Sequence, residues 1–455
     1  MPPLGKGRKG GIFHRAGYST LGAIHMRYPP FIEAEFDFPE FHRVRMHFSR
    51  EALDDVAASV GREIDALLPA SGIRSGDRVA VGVGSRGIDQ LETIVRAVCA
   101  RLRQAGALPA IIPAMGSHGG ATAEGQAAVL RRLNVTEASC GAPVVSSMEV
   151  ERIGTVFGEV PVYFSREALA MEHCIVVNRI KPHTKFIGPV ESGILKMLCV
   201  GMGKHHGAIA YHTWAMKHGF FALGKAMGQA AAAGANFRFG LAVVENAFDR
   251  TLAVAGVPAD RLLEEETRLN ALAKAHLPRL PFRELDVLVV ERIGKDISGA
   301  GMDPNVTGRA FDLMESDFSG ILSARRVAVL NLSGRTGGNA IGLGNADIVT
   351  EKVFQAMDYE ATLMNALTSL SLRKAFIPVR MPNDRKAIQA CFATIGPVPP
   401  AAVRAVVIRD TLHLADFWAS AALRDEIDAI AAAEIVATAP LRFDAVGNLC
   451  LPVSN

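Results

Sequence analysis

Six short apolar runs recur along the chain, each ending in glycine or a polar loop: "RVAVGVGSRG", "PAIIPAMGSHGG", "HCIVVNRIKPH", "FRFGLAVVENAFD", "LDVLVVERIGKDISG" and "RRVAVLNLSGRTGG". Runs this short and rich in Val and Ile, separated by helical patterns such as "IDQLETIVRAVCARLRQAG", predict strands alternating with helices. That alternation specifies an α/β fold with mostly parallel sheets. In such sheets ligands gather at the carboxyl ends of strands, and every unusual loop of this chain falls there. The rhythm breaks at "ALAKAHLPRLPFREL", Ala271 to Leu285, whose two prolines mark a linker and place a boundary near Pro281. The expected organisation is an N-terminal α/β domain over residues 1–278, a C-terminal α/β domain over 279–440, and a tail, 441–455, returning to the N-terminal domain. "GKAMGQAAAAGANF" reads as a small-residue helix packed closely on its neighbours, and no internal repeat is visible.

Composition narrows the class. With 455 residues, 49% hydrophobic, the chain has ample material for two cores and is neither disordered nor coiled-coil in character. Lys and Arg total 49 against 46 Asp and Glu, and the one dense basic run is "GKGRKGG", so nucleic acid is not the expected partner. The six cysteines are scattered without a CxxC, which predicts neither a disulfide framework nor a zinc ribbon and fits a reducing compartment. No apolar run resembles a signal peptide or a membrane span, so a soluble, cytoplasmic protein is expected.

Candidate chemistry concentrates in three loops. Six of the 13 histidines, His173, His183, His205, His206, His212 and His218, fall within one stretch, and histidine serves both as metal ligand and as acid or base near neutral pH. In "KPHTKFIGPVESGILKM", Lys181 to Met197, His183 follows an apolar strand and a proline that restricts the backbone before it. His173, His205 and His218 read equally well as surface or cap residues. The second loop is "GSHGGATAEGQ", where Gly119 and Gly120 after His118 permit close backbone approach by a ligand; an incidental His in a tight turn is the alternative. Arg86 in "GVGSRGIDQ" ends the preceding strand, where a guanidinium could grip a carboxylate or phosphate. The third loop, "ERIGKDISGAGMDPNVTGR", could form an anion nest to which Lys295 adds charge. No Walker loop, GxGxxG fingerprint, HExxH pair or GxSxG elbow occurs.

Arg86, "GSHGG", "KPH", a following lysine and a later histidine, in this order and together with "GLGNADIVT" and "MDYEATLMNALTS" in the second half, resemble the lactate racemase family. The resemblance implies an isomerase, a racemase or epimerase of 2-hydroxy acids, with a site covered by the second domain and a nickel-pincer nucleotide cofactor (pyridinium-3,5-bisthiocarboxylic acid mononucleotide nickel) supplied by cofactor-biosynthesis proteins. On that resemblance His118 and His183 are the proton-transferring pair, Lys196 attaches the cofactor, His212 ligates nickel, and Arg86 with Lys295 holds the substrate carboxylate. The cofactor carries hydride away from the substrate carbon and back, through a 2-keto acid. Lys181, Lys185 and Lys204 are alternatives for binding the cofactor's anionic groups, as are Gly119 and Gly120 through their backbone; His205 and His206 are alternative nickel ligands. The loop departs from the lactate enzymes, which have an aromatic after the His and Gly-Gly before the lysine. Arg292, Arg309 and Arg335 are further cations that could favour a second carboxylate on the substrate. Two other readings stay open: a metal-dependent hydrolase or lyase with a divalent ion held by His118, His183 and His212, and a non-enzymatic nickel or nucleotide carrier. A homo-oligomer is an alternative to a monomer.

Overall fold

The computed structural model describes residues 27–84, 87–311 and 318–450. The chain divides into a small unit, Met1–Phe36, and a large one, Asp37–Asn455. The described part of the small unit contributes a single helical turn, Pro30–Glu33, started by proline. Everything that follows concerns the large unit.

Its strands are β1 (Glu40–Met46), β2 (Arg78–Val83), β3 (Leu108–Pro113), β4 (Val150–Val156), β5 (Val160–Ser165), β6 (His173–Arg179), β7 (Phe237–Glu245), β8 (Thr251–Pro258), β9 (Glu284–Ile293), β10 (Ser323–Leu332), β11 (Ile348–Thr350), β12 (Val379–Met381), β13 (Ala405–Ile408), β14 (Asp416–Ser420) and β15 (Ala433–Pro440). All six apolar runs read from the sequence are strands. They build a five-stranded sheet in the order β3-β2-β6-β7-β8 and an eight-stranded sheet in the order β12-β11-β10-β9-β13-β14-β1-β15; β4 and β5 form a separate hairpin. In the smaller sheet β3, β2, β6 and β7 are parallel and only β8 is reversed. The larger sheet is parallel from β12 to β13 and antiparallel from β14 to β15. The fold is α/β with mostly parallel sheets, as the alternation predicts.

Both faces of the smaller sheet are covered, which is why its strands read as continuous apolar runs. Val79, Val81 and Val83 of β2 pack with Val95, Val98 and Leu102 of the helix Leu91–Gln104, whose buried positions recur at the helical period. The opposite face, with Ala80 and Val176, belongs to a second core with Ile194, Leu198 and Met202. A third core lies around β9 and β10 of the larger sheet.

The chain crosses from one sheet to the other between the helix Leu262–His276 and β9. The helix runs through Ala271–His276, which the sequence reading gave to the linker; "ALAKAH" is built of good helix formers, and only the segment with Pro278 and Pro281 lacks regular structure. Two segments lie elsewhere than expected. Glu40–Met46, placed in the N-terminal domain by the sequence, is β1 and pairs between β14 and β15 of the larger sheet. The tail to residue 450 packs on that same half: Asn383 donates to the carbonyl of Val446 at 3.0 Å, and Leu449 N–H donates to Asp384 at 2.9 Å. Residues 451–455 lie outside the described residues. Among the described residues no helix is long and apolar enough to cross a membrane.

Candidate functional site

In the smaller sheet the strand order reverses at β2: β3 lies on one side and β6 on the other. A crevice opens outside the carboxyl ends of strands at such a point. Here the sheet at that point is packed against by the segment Ile194–Met202, one short helical turn running into a π-helical turn, Met197–Gly201, closed by Met202 N–H donating to Met197 O at 2.8 Å. The fit is close. A Cβ on Gly82 of β2 would meet Met202 Sδ at 2.8 Å, and one on Gly84 would meet Met197 Cε at 3.0 Å. Lys196 is the last residue before the π turn, next to Met197, whose side chain reaches Gly84 just past β2.

The start of that turn rests on a buried carboxyl. Glu266, on the helix Leu262–His276, accepts the N–H of Leu195 at 2.8 Å, while its other oxygen is buried without a partner. Burial raises its pKa to about 7. Gly193 packs directly against it: a Cβ would fall 1.8 Å from Glu266 Oε1.

The loop after β6 carries His183. Its backbone N–H donates to Glu191 Oε2 at 2.6 Å, and Gly188 N–H donates to Glu191 Oε1 at 2.9 Å. Glu191 is fully buried and paired with Lys274 Nζ at 2.5 Å. Lys185 N–H donates to His183 Nδ1 at 3.1 Å, so the neutral imidazole carries its proton on Nε2. From the other half, Asn305 donates to the carbonyl of His183 at 3.1 Å, and Lys185 Nζ donates to Ser369 O at 2.6 Å.

Phe220 is the hub of the cluster. The rings of His183 and His212 lie 6.4 and 6.5 Å from it, and Lys185 Nζ stands 5.7 Å from its centroid. His212 projects from the helix Lys204–His218 with a buried Nδ1 that has no hydrogen-bond partner. Burial first, and then the charges of Lys185 and Lys196, push its pKa down to about 3, so it is a neutral imidazole across the physiological range.

His118 ends the loop after β3 and is exposed. Gly116 brings that loop onto the helix bearing His212: a Cβ there would lie 3.3 Å from Val200 and 3.5 Å from Ala208, one turn before His212. Buried Gln126 clamps the loop by donating to the carbonyls of Gly116 at 2.8 Å and His118 at 3.4 Å. Lys204, also buried, donates to Gln126 Oε1 at 3.4 Å and to Pro113 O. Gly119 and Gly120 both adopt positive φ; Gly119 is demanded by the chain itself, since its Cβ would lie 2.5 Å from the backbone of Gly125.

The other sequence-predicted residues fall further out. Lys181 lines a cleft between the two sheets with Arg179, Glu245, Asp249 and Asp303, and the candidate histidines are not part of its wall. Burial, then Arg179, lowers the Lys181 pKa, against the opposing pull of Asp303, Asp249 and Glu245. Exposed Lys295 donates to Gly299 O of its own loop at 3.0 Å. Arg86 lies outside the described residues. His205 and His206 are exposed, whereas His173 pairs with Asp77 at 2.9 Å and His218 with Glu159 at 3.1 Å, structural roles for both. Arg309 is held by Asp347 at 2.7 Å. Among the described residues no three His, Cys, Asp or Glu side chains gather as a metal site. Sequence reasoning missed Phe220, Glu191, Gln126 and Glu266. For Glu266 a signal existed: it shares the helical stripe of Leu262, Leu269 and Ala273, which are buried.

No protein-family model matches the sequence, and none of the curated proteins searched matches it. Among solved structures, the lactate racemase apoprotein from Thermoanaerobacterium thermosaccharolyticum aligns with a TM-score of 0.50 at 11% sequence identity, over 81% of this chain and 98% of that one. The chain has a lactate-racemase-like fold. A Thermotoga maritima protein, 14% identical, aligns with a TM-score of 0.45 over 62% of this chain and 72% of that one.

Proposed function

We propose that the protein is an isomerase that racemises or epimerises a 2-hydroxy acid with a nickel-pincer nucleotide as cofactor. His212 carries this reading. A single buried imidazole with an unpartnered nitrogen, flanked by Lys185 and Lys196, fits a metal that arrives with its remaining donors on an anionic organic group. A bare divalent ion held by His118, His183 and His212 would need those three side chains gathered as one ligand set, and they are not. The likeness to a lactate racemase apoprotein supports the same choice.

When bound, the group supplies an electron-poor centre that takes up hydride from the substrate carbon and returns it. Lys196 is the assigned attachment point, with Lys185 and the backbone at Gly119 and Gly120 assigned to its anionic parts; Lys181 lines the separate cleft. His183, its proton on Nε2, and His118, after β3 on the far side of β2 from β6, move the hydroxyl proton, one for each hand of the substrate. Arg86 and Lys295 are assigned to the carboxylate, so that a keto acid can turn over without leaving.

The test is peptide mass spectrometry with metal analysis on protein co-expressed with the pincer-cofactor synthesis enzymes. Nickel with a nucleotide adduct on the Lys196 peptide is the expected result. Nickel with a nucleotide released on denaturation keeps the cofactor class and removes the covalent role of Lys196. Protein without nickel or nucleotide overturns the reading.

A further inference from the structure

The helix Tyr359–Thr368 is built inside out. Its buried positions are the small Thr362 and Ala366, while Met364 and Leu367 face solvent. Tyr359 at its start is more than half exposed too, and the apolar exposure continues past it through Leu372, Phe376 and Val379, Phe376 the most at 61%. With three further aliphatic side chains of the same segment, the exposed surface is on the order of 850 Å² at ordinary residue areas, against the ~800 Å² each partner gives to a standard interface. Monomers rarely leave one contiguous apolar patch of that size open.

The face is rigid rather than frayed. Asp358 caps the helix by accepting the N–H of Ala361 at 2.9 Å, and Ala340 N–H donates to Thr362 Oγ1 at 2.9 Å. Gly344 packs so tightly beneath it that a Cβ would fall 1.8 Å from Arg373 O. Between Glu360 and Arg380 the charged residues are Arg373 and Lys374; Lys374 is buried, and Arg373 lies over the Phe311 ring at 5.3 Å. Exposed Glu360 and exposed Arg373 cancel in net charge, and Lys374 is buried, so the surface offers little to a strongly charged partner and suits a second copy of itself. It also ends on β12, the edge of the larger sheet, where an unpaired strand is a hazard unless something covers it.

We infer that this face, Tyr359 to Val379, is the contact of a two-fold symmetric homodimer, each copy covering the other's apolar helix and sheet edge. The face borders the candidate site, since Lys185 Nζ donates to Ser369 O at 2.6 Å, but the inference does not depend on the catalytic reading.

Sedimentation across a wide range of protein concentration tests it. The expected result is a particle of twice 48.5 kDa for the wild type. Leu367→Glu with Phe376→Glu should raise the dimer dissociation constant by about a hundredfold or more while leaving circular dichroism and melting unchanged. Hydrogen exchange on the wild type gives a check that needs no variant: amides of 359–380 should slow as concentration passes the dimer midpoint. A wild type that stays monomeric, a folded double variant that dimerises as before, or exchange protection confined to another face overturns the proposal.

Discussion

The backbone N–H of His183 donates to Glu191 Oε2 at 2.6 Å, and the Glu191 carboxylate is itself locked by Lys274 at 2.5 Å. A loop that carries a histidine is thus fixed from below by a fully buried carboxylate paired with a partly exposed lysine, with Asn270 and Lys274 also donating to Gly188 O. Removing Glu191 leaves a partly exposed Lys274 and two amides without an acceptor. Glu191→Ala should therefore cost about 1–3 kcal/mol of stability in denaturant unfolding. It should also speed amide exchange across 183–188. A change below about 1 kcal/mol would mean that the pair does not hold the loop.

Metal and proton roles separate by residue. His212 has a free buried nitrogen, and His183 has its Nδ1 engaged by Lys185 N–H. On the proposed reading, His212→Ala lowers nickel bound to holoprotein by tenfold or more, an effect of about 1.4 kcal/mol or greater on binding. His183→Ala and His118→Ala keep the nickel and lose turnover of the identified 2-hydroxy acid. Metal analysis of the three variants decides it; equal nickel loss in all three would return the histidines to a shared ligand set.

Glu266 gives the fold a pH signature. Its pKa rises from 4.5 to about 7 on folding, so between those values the folded state binds more protons than the unfolded chain. Stability falls as pH rises through that window, because the carboxylate must then be buried charged. Glu266→Gln, neutral at every pH, should flatten this slope. Urea midpoints at pH 5 and pH 7 measure it; a slope unchanged in the variant would show that Glu266 titrates near its usual value.

Much of the fold was legible because its central strands are buried on both faces, which writes the pattern locally: "RVAVGV" needs no knowledge of its neighbours to be read as β2. The strand "EFHRVRM" of β1 was not read, because its partners β14 and β15 come more than 350 residues later and its two arginines interrupt the apolar run. The site divides the same way. Histidines among glycines at strand ends, His118 and His183, announce themselves by residue type. Glu191 and Gln126 look like ordinary surface residues in sequence, and only the tertiary fold turns one into a buried loop anchor and the other into a carbonyl clamp.

That clamp leads to the last prediction. Gln126 reaches the carbonyls on either side of Ser117, and Lys204 holds Gln126 Oε1 from behind. Lys204 is buried at a backbone φ of 54°, and burial lowers its pKa to about 8. An ordering this awkward persists only where the surroundings enforce it. Gln126→Ala leaves the carbonyl of Gly116 without its donor, worth about 1–3 kcal/mol for a buried acceptor, and frees the His118 loop. Amide exchange over 116–121 should rise, and turnover that depends on His118 should fall with nickel content unchanged. Lys204→Met should act in the same direction through Gln126. It should also remove a rise in stability between about pH 8 and pH 10.5, where the unfolded lysine still holds the proton that the folded one has lost. If Gln126→Ala leaves exchange over 116–121 as it was, the backbone contact of Gly119 with Gly125 alone sets the position of His118.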